Sequence, residues 1–415
     1  MTTFHWQELD ERARDKALAR PAADSAGALR ERVAGILADV KASGDAAVMR
    51  LTKQFDGVAQ ETLAVSEAEF HAAEAALAGR QRDAIRTAID NVRRFHERQL
   101  PANVIVETMP GVRCERITHP IDAVGLYVPA GTAPLPSAAV MLAVPAAIAG
   151  CPVRVMCTPP RRDGTADPAV LVAAASAGVT RVFKVGGAQA IAAMAYGTET
   201  IPAVNKLFGP GNAWVTAAKT LVSADPDGAA IDLPAGPSEV LVIADRDANP
   251  AWVAADLLSQ AEHGSDSQVV LVTDNEPLAA TVGKAVTSQL DTLSRRDIAA
   301  ASLAHARTIV VDSIDTAIEV SNRYAPEHLI LQCADPQARL PSIRNAGSVF
   351  LGPWTPEAVG DYCSGTNHVL PTYGYARSYS GLGVDQFLRR MTVQQLTRDG
   401  LLSLAQTVTT LAELE

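Results

Sequence analysis

Between Thr118 and Leu351, short β-branched runs alternate with Ala-rich stretches, and no other feature constrains the fold of this chain as strongly. Residues 123–128, 153–157, 182–185 and 229–233 read as strands, with helices starting near Ser137, Pro168, Gln189 and Asn212. A strand followed by a helix and another strand needs a crossover, so the pattern predicts a parallel sheet. A second series follows, with strands at 240–243, 269–273, 308–311, 328–331 and 348–351 and helices near Pro250, Glu276, Asp315 and Pro336. The seam falls at Leu233-Pro234-Ala235-Gly236-Pro237. Two consecutive α/β layers therefore account for most of the 415 residues.

The flanks read differently. Residues 28–55 and 66–100 are rich in Ala, Arg, Glu and Leu at helical spacing, broken at Phe55-Asp56-Gly57 and stopped by Pro101. Residues 386–415 read as a return to helix. The longest apolar stretch, 138–148, is too short to span a bilayer and contains Pro145, and the first twenty residues lack an apolar run after their charges. A cytoplasmic location is the expectation. Forty-six acids against 36 bases, a net charge of -10, and no basic block argue against nucleic acid or an anionic membrane as partner and for a small ligand. Five scattered cysteines without a Cys-x-x-Cys pair fit a reducing compartment.

Open parallel sheets bind ligands at the carboxyl ends of their strands, so functional residues are expected just after strands. Four segments hold candidate chemistry. In 231–239 two prolines and a glycine restrict the backbone and present Ser238, either at a crevice edge or in an interdomain hinge. Gln260 and His263, three apart near a helix end, can converge on one point as an oxygen and a nitrogen ligand, although a histidine there can equally cap the helix. Glu327 and His328 follow Pro326 at a bend from which both can reach one cavity as acid and base; the alternative is a solvated Glu beside a buried structural His. In 360–368, Asp361 and His368 flank a bend at Gly365 and could join Gln260 and His263, or lie in a solvated loop. Gly186-Gly187-Ala188-Gln189 and Gly209-Pro210-Gly211-Asn212 could offer amides to a phosphate or ribose, or be ordinary turns. Neither has the Gly-x-Gly-x-x-Gly spacing.

Seven segments, in order, carry a resemblance over nearly the whole chain: VGLYVPAGTAPLPS (124–137), VGGAQAIAA (185–193), KLFGPGNAWV (206–215), IDLPAGPSEVLVIAD (231–245), DLLSQAEHG (256–264), APEHL (325–329) and GDYCSGTNHVLPT (360–372). The sequence resembles the histidinol dehydrogenase family. That resemblance implies oxidation of L-histidinol to L-histidine through the aldehyde, with two NAD molecules in succession and one zinc ion per site. It implies zinc ligation by Gln260, His263 and Asp361, and acid/base roles for Glu327 and His328. Substrate contacts would come from Ser238, Gln260, His263, His328, Asp361, His368 and Glu415, and NAD contacts from Tyr127, Gln189 and Asn212.

The implied fold is α/β, with two incomplete Rossmann-like parallel-sheet domains and small helical N- and C-terminal pieces. The expected division is a helical piece at 1–25, a zinc and substrate domain from 26–122 with 236–382, an NAD domain at 123–235 and a tail at 383–415. An intertwined homodimer is implied as well, in which the tail reaches the partner's site. The family supplies a further zinc-ligating His a few residues beyond the Glu that matches Glu415; this sequence stops at Glu415, and a longer natural chain is the expectation. Other readings are a related zinc and NAD dehydrogenase of another amino or sulfonated alcohol, a metal-binding hydrolase without a redox cofactor, and a non-catalytic relative.

Overall fold

The computed structural model describes residues 1–20, 26–130, 133–234 and 236–415. The chain begins with β1 (Thr2–His5) and α1 (Glu11–Ala17), followed by three helices, α2 (Ala26–Asp56), α3 (Glu67–Ala76) and α4 (Gly79–His96). Two strands come next, β2 (Val104–Met109) and β3 (Val112–Pro120). The first α/β series comprises β4 (Ala123–Tyr127), α5 (Pro136–Ile148), β5 (Val153–Thr158), α6 (Pro168–Ser176), β6 (Arg181–Lys184), α7 (Gly187–Tyr196), β7 (Lys206–Phe208), α8 (Ala213–Ala224) and β8 (Ala230–Ile231).

The second series opens with β9 (Glu239–Ala244), α9 (Pro250–Ala261), β10 (Gln268–Thr273), α10 (Glu276–Leu290), α11 (Arg296–Leu303) and β11 (Arg307–Val310). It continues with α12 (Ile314–Tyr324), β12 (His328–Gln332), α13 (Pro336–Arg339), β13 (Ser348–Leu351) and α14 (Glu357–Tyr362). The described chain closes with β14 (Leu388–Leu396) and α15 (Arg398–Leu414).

The two series form two parallel sheets, of order β6-β5-β4-β7-β8 and β1-β11-β10-β9-β12-β13. Both are covered on two faces, which explains strands that are continuously apolar rather than alternating. Helices α9 and α10 supply Val253, Leu257, Leu258, Leu278 and Val282 to one face of the six-stranded sheet. Its other face meets Trp6, Ile318 and Tyr324.

Three expectations are corrected. The helices of residues 26–96, grouped in the sequence reading with 236–382, pack on the five-stranded sheet. Val33, Ile36, Leu37, Val40, Val48 and Leu51 of α2 share a core with Tyr127, Val155, Phe183 and the Ala-rich α7, whose small side chains let the helices approach closely. Ile89 and Val92 of α4 join α5 and Phe208 on the opposite face. The N-terminal piece, expected as helix, carries the helix α1 but also contributes β1 to the edge of the six-stranded sheet. Residues 388–396, also expected as helix, form a strand paired antiparallel with β3 over nine positions, completing a third sheet of order β14-β3-β2. Among the described residues, no helix is long and apolar enough to cross a membrane.

Candidate active site

The acid/base candidates sit at the amino edge of the six-stranded sheet, where the sequence reading expected the carboxyl edge. Ser238 and Glu327 immediately precede β9 and β12, and His328 opens β12 beside Val240. The crossover helices explain how other elements reach the same edge. A helix that follows a parallel strand runs back antiparallel to it, so the carboxyl ends of α9 and α14 return to the amino edge. They carry Gln260, His263 and Asp361 with them.

His328 lies at the centre, buried like its neighbours. Its Nδ1 is 3.1 Å from the Glu239 carbonyl oxygen, which offers only lone pairs. With Nδ1 on that carbonyl and Nε2 toward Asp361, the ring is held between acceptors on both sides. Glu327 Oε2 stands 3.6 Å from Nδ1 and Glu357 Oε1 3.9 Å, while Asp361 Oδ1 is 3.4 Å from Nε2. Glu327 accepts the Glu239 N–H at 2.8 Å. One atom of the Gln260 carboxamide faces Glu357 Oε1 at 2.8 Å and the Glu239 carbonyl at 3.2 Å, both acceptors, so it is the nitrogen and the amide oxygen turns the other way. His263 places Nδ1 2.8 Å from the Ser259 carbonyl and Nε2 3.7 Å from Asp361 Oδ2.

Glu357 is the residue that sequence reasoning missed. It is buried, accepts the Ser259 hydroxyl at 3.1 Å, and lies in one cluster with His328 and Asp361 whose ligand atoms are all within 4.8 Å of one another. A signal existed: Glu357 and Asp361 are four apart, the spacing of one helical face.

His368 reaches the cluster from a loop held by the other layer. Asn91 donates to the Cys363 carbonyl at 2.9 Å, and Asn367 donates to the Met141 carbonyl at 2.8 Å while accepting the Val369 N–H. Gly365, at φ 119°, is the hinge of that loop; a Cβ there would stand 2.9 Å from the Asn91 carbonyl oxygen. The site thus lies where the two layers meet.

Electrostatics show what the cluster lacks. Burial pushes Glu327 up to about 8 and Glu357 up to about 8. For His328, burial pulls the imidazole down, but the charges of Glu327, Asp361 and Glu357 outweigh it and raise it to about 10. Asp361 goes the other way: burial would raise it, but His328, with His368 and His263, holds it below the usual carboxylate range. Burial lowers His368. Three buried carboxylates surround one imidazole, and the buried Nε2 atoms of His328 and His368 both lack a hydrogen-bond partner. Oxygen and nitrogen donors with surplus negative charge and unpartnered imidazoles fit a divalent cation such as zinc.

The other expected ligand residues cluster at the carboxyl edge of the five-stranded sheet. Tyr127 ends β4 and accepts the Gly187 N–H on its hydroxyl at 3.0 Å; Gln189 lies buried in the first turn of α7. Asn212 caps α8, accepting from the backbone of Trp214 and Val215. Nearby, a cleft of about 500 Å³ opens beyond β4 and β5, lined by Ala130, Pro159, Arg161 and Arg162. Glu415 is not brought to the site. It ends the solvent-exposed α15.

This arrangement has close counterparts. The family model of histidinol dehydrogenase matches residues 18–415. The chain belongs to the histidinol dehydrogenase family. A histidinol dehydrogenase of Xanthomonas euvesicatoria pv. vesicatoria is 57% identical over 415 residues, covering 100% of this chain and 96% of that protein. One from Colwellia psychrerythraea is 53% identical over 412 residues, 99% of this chain and 95% of the relative. The crystal structure of histidinol dehydrogenase from Elizabethkingia anophelis superposes with a TM-score of 0.95 at 44% identity, covering 100% of this chain and 94% of that one. The protein is therefore an oxidoreductase with the mixed α/β fold of this family.

Proposed function

We propose that this chain oxidises L-histidinol to L-histidine in two successive steps at the amino edge of the six-stranded sheet, in the cytoplasm. The observation that carries this reading is the buried cluster of His328, Glu357 and Asp361, whose ligand atoms lie within 4.8 Å of one another, with Glu327 against the same ring. Gln260, His263 and Asp361 would hold zinc, and Tyr127, Gln189 and Asn212 would contact NAD. When bound, the metal supplies positive charge that orients the amino alcohol, and NAD accepts hydride.

The chain's own groups do the proton work. His328, anchored through Nδ1 on the Glu239 carbonyl, takes the hydroxyl proton at Nε2 in its neutral form, which the carboxylates around it make a strong base, as hydride leaves the carbinol carbon. Ser238 and His368 are assigned as substrate contacts, and Glu415 is assigned to the partner's site. In the second step Glu327 takes a proton from the water that adds to the aldehyde. The burial that raises its pKa to about 8 makes its carboxylate a stronger base than an exposed one.

Roles divided this way predict unequal damage. Glu327→Gln is expected to slow oxidation of L-histidinal by roughly 100-fold, within the usual worth of a general base, and oxidation of L-histidinol to the aldehyde much less. Stopped-flow NADH formation from each substrate measures both. Equal losses would refute the division.

Assembly as a homodimer is part of the proposal. It is supported by Val104, Ile105, Val106, Met391 and Val393 on the third sheet and by Leu401, Leu402, Val408 and Leu411 on α15, all exposed in the single chain.

A further inference from the structure

Both acid/base side chains hang on one residue's backbone. The Glu239 N–H donates to Glu327 Oε2 at 2.8 Å, and its carbonyl oxygen lies 3.1 Å from His328 Nδ1. A shift of this peptide moves both groups together. The Glu239 side chain does not enter the site. It is buried and held from the far side by the N-terminal segment: Arg20 donates Nε to Oε1 at 2.5 Å and Nη2 to Oε2 at 2.8 Å. A bidentate guanidinium–carboxylate pair fixes direction as well as distance.

Arg20 also grips the turn that leads into the acid/base pair. Its Nη2 donates to the Tyr324 carbonyl at 2.9 Å and reaches the Ala325 carbonyl at 3.4 Å, and its guanidinium lies 4.0 Å over the Tyr324 ring. Ala325 holds φ at 56°, a left-handed conformation that a residue with a Cβ adopts at a cost, two positions before Glu327. Tyr373, which donates its N–H to Glu239 Oε1 at 2.8 Å, is also left-handed, at φ 55°. Two uncommon backbone conformations thus converge on the Arg20–Glu239 pair. Such conformations persist only where the surroundings over-determine them.

We propose that Arg20 is a positioning residue for the reaction: by clamping the Glu239 carboxylate and the Tyr324–Ala325 carbonyls at once, it sets the spacing between the start of β9 and the bend before β12, and so the placement of Glu327 and His328. This rests on the acid/base roles proposed above. Arg20 touches neither substrate nor cofactor. The segment that precedes the first core helix is thereby part of the catalytic geometry.

The test compares Arg20→Ala, Arg20→Lys and Glu327→Gln with the unaltered chain loaded with zinc, reading kcat and KM for L-histidinol, L-histidinal and NAD, with melting temperature alongside. A misplacement near 1 Å lowers rates by roughly 10- to 100-fold. Arg20→Ala is expected to lose kcat on both substrates to that extent while KM for NAD stays within about twofold. Arg20→Lys, which keeps the charge but loses the fork, is expected to recover part of kcat. If Arg20→Ala fails to fold, Arg20→Lys decides alone: kcat lowered at an unchanged melting temperature supports the positioning role. Full kcat in a folded Arg20→Ala, or in Arg20→Lys where only that variant folds, overturns it. Should Glu327→Gln leave kcat intact, the acid/base assignment itself fails, separately from the role of Arg20.

Discussion

Glu357 shows how one residue can be faint in sequence, marked only by its four-residue spacing to Asp361, and central in space. Nothing in its tripeptide, Pro356-Glu357-Ala358, marks it as more than a helix-starting acid. Packed without solvent against Gln260 and His328, it adds negative charge where a cation would be held. Glu357→Gln is therefore expected to weaken zinc binding about 10- to 100-fold, the usual worth of a group that orients or supports metal ligands. Competition with a chromogenic chelator measures it. His96 offers a second residue-scale test. Burial lowers its pKa, so the native state favours the neutral ring. The stability this contributes is complete above the unfolded value near 6.5 and is lost as pH falls through the lower folded value. The melting-temperature advantage of the unaltered chain over His96→Gln should therefore shrink from pH 7 to pH 5, a difference in which the raised carboxylates Glu327 and Glu357 cancel.

Among elements, the loop from Cys363 to Val369 carries the most consequence for its length. It places His368 near the site while the Cys363 carbonyl is fastened to α4 and the Asn367 side chain to α5, so it couples the two layers. Gly365→Ala would force a Cβ to within 2.9 Å of a carbonyl oxygen at φ 119°. It is expected to cost about 1–3 kcal/mol of stability, as strained backbone does, and to raise KM for L-histidinol; urea unfolding and steady-state kinetics check the two effects. Elements also show what was legible in advance. Most strands of both parallel sheets were readable because burial on two faces leaves apolar β-branched runs that need no context; the short β7 and the edge strand β1 were not. β14 was not. Leu-Arg-Arg-Met-Thr-Val-Gln-Gln-Leu is exposed along nearly its whole length, so it lacks a buried face to declare itself and becomes a strand only through pairing with β3. The edge of the sheet that holds Glu327 and His328 was also misread, because the rule favouring carboxyl edges concerns one sheet alone. Here the candidate site sits where the amino edge of one sheet meets a loop fastened to the other layer, and α9 and α14 bring Gln260 and Asp361 there by running backwards.

At the scale of the whole molecule, the unfinished surface is the third sheet and α15. Leu401, Leu404, Val408 and Leu411 recur at three- and four-residue intervals, the stripe of a helix that packs against something, yet all but the partly covered Leu404 are exposed. Beside them β2 shows every residue to solvent, including Ile105 at 57% exposure. At about 25 cal/mol per Å² of apolar surface, leaving such a stripe wet forgoes several kcal/mol, which a second copy of the chain can recover by laying the same elements against their counterparts. Equilibrium sedimentation is expected to give a mass twice the chain's 43.6 kDa. Ile105→Glu combined with Leu402→Glu places charge inside an interface that should be depleted of it, and is expected to shift the protein toward the single-chain mass. If the double variant and the unaltered chain both sediment as single copies, these elements are not the interface. If the double variant is monomeric and keeps the far-UV circular dichroism of the unaltered chain, the apolar stripe exists for assembly rather than for the core of its own subunit.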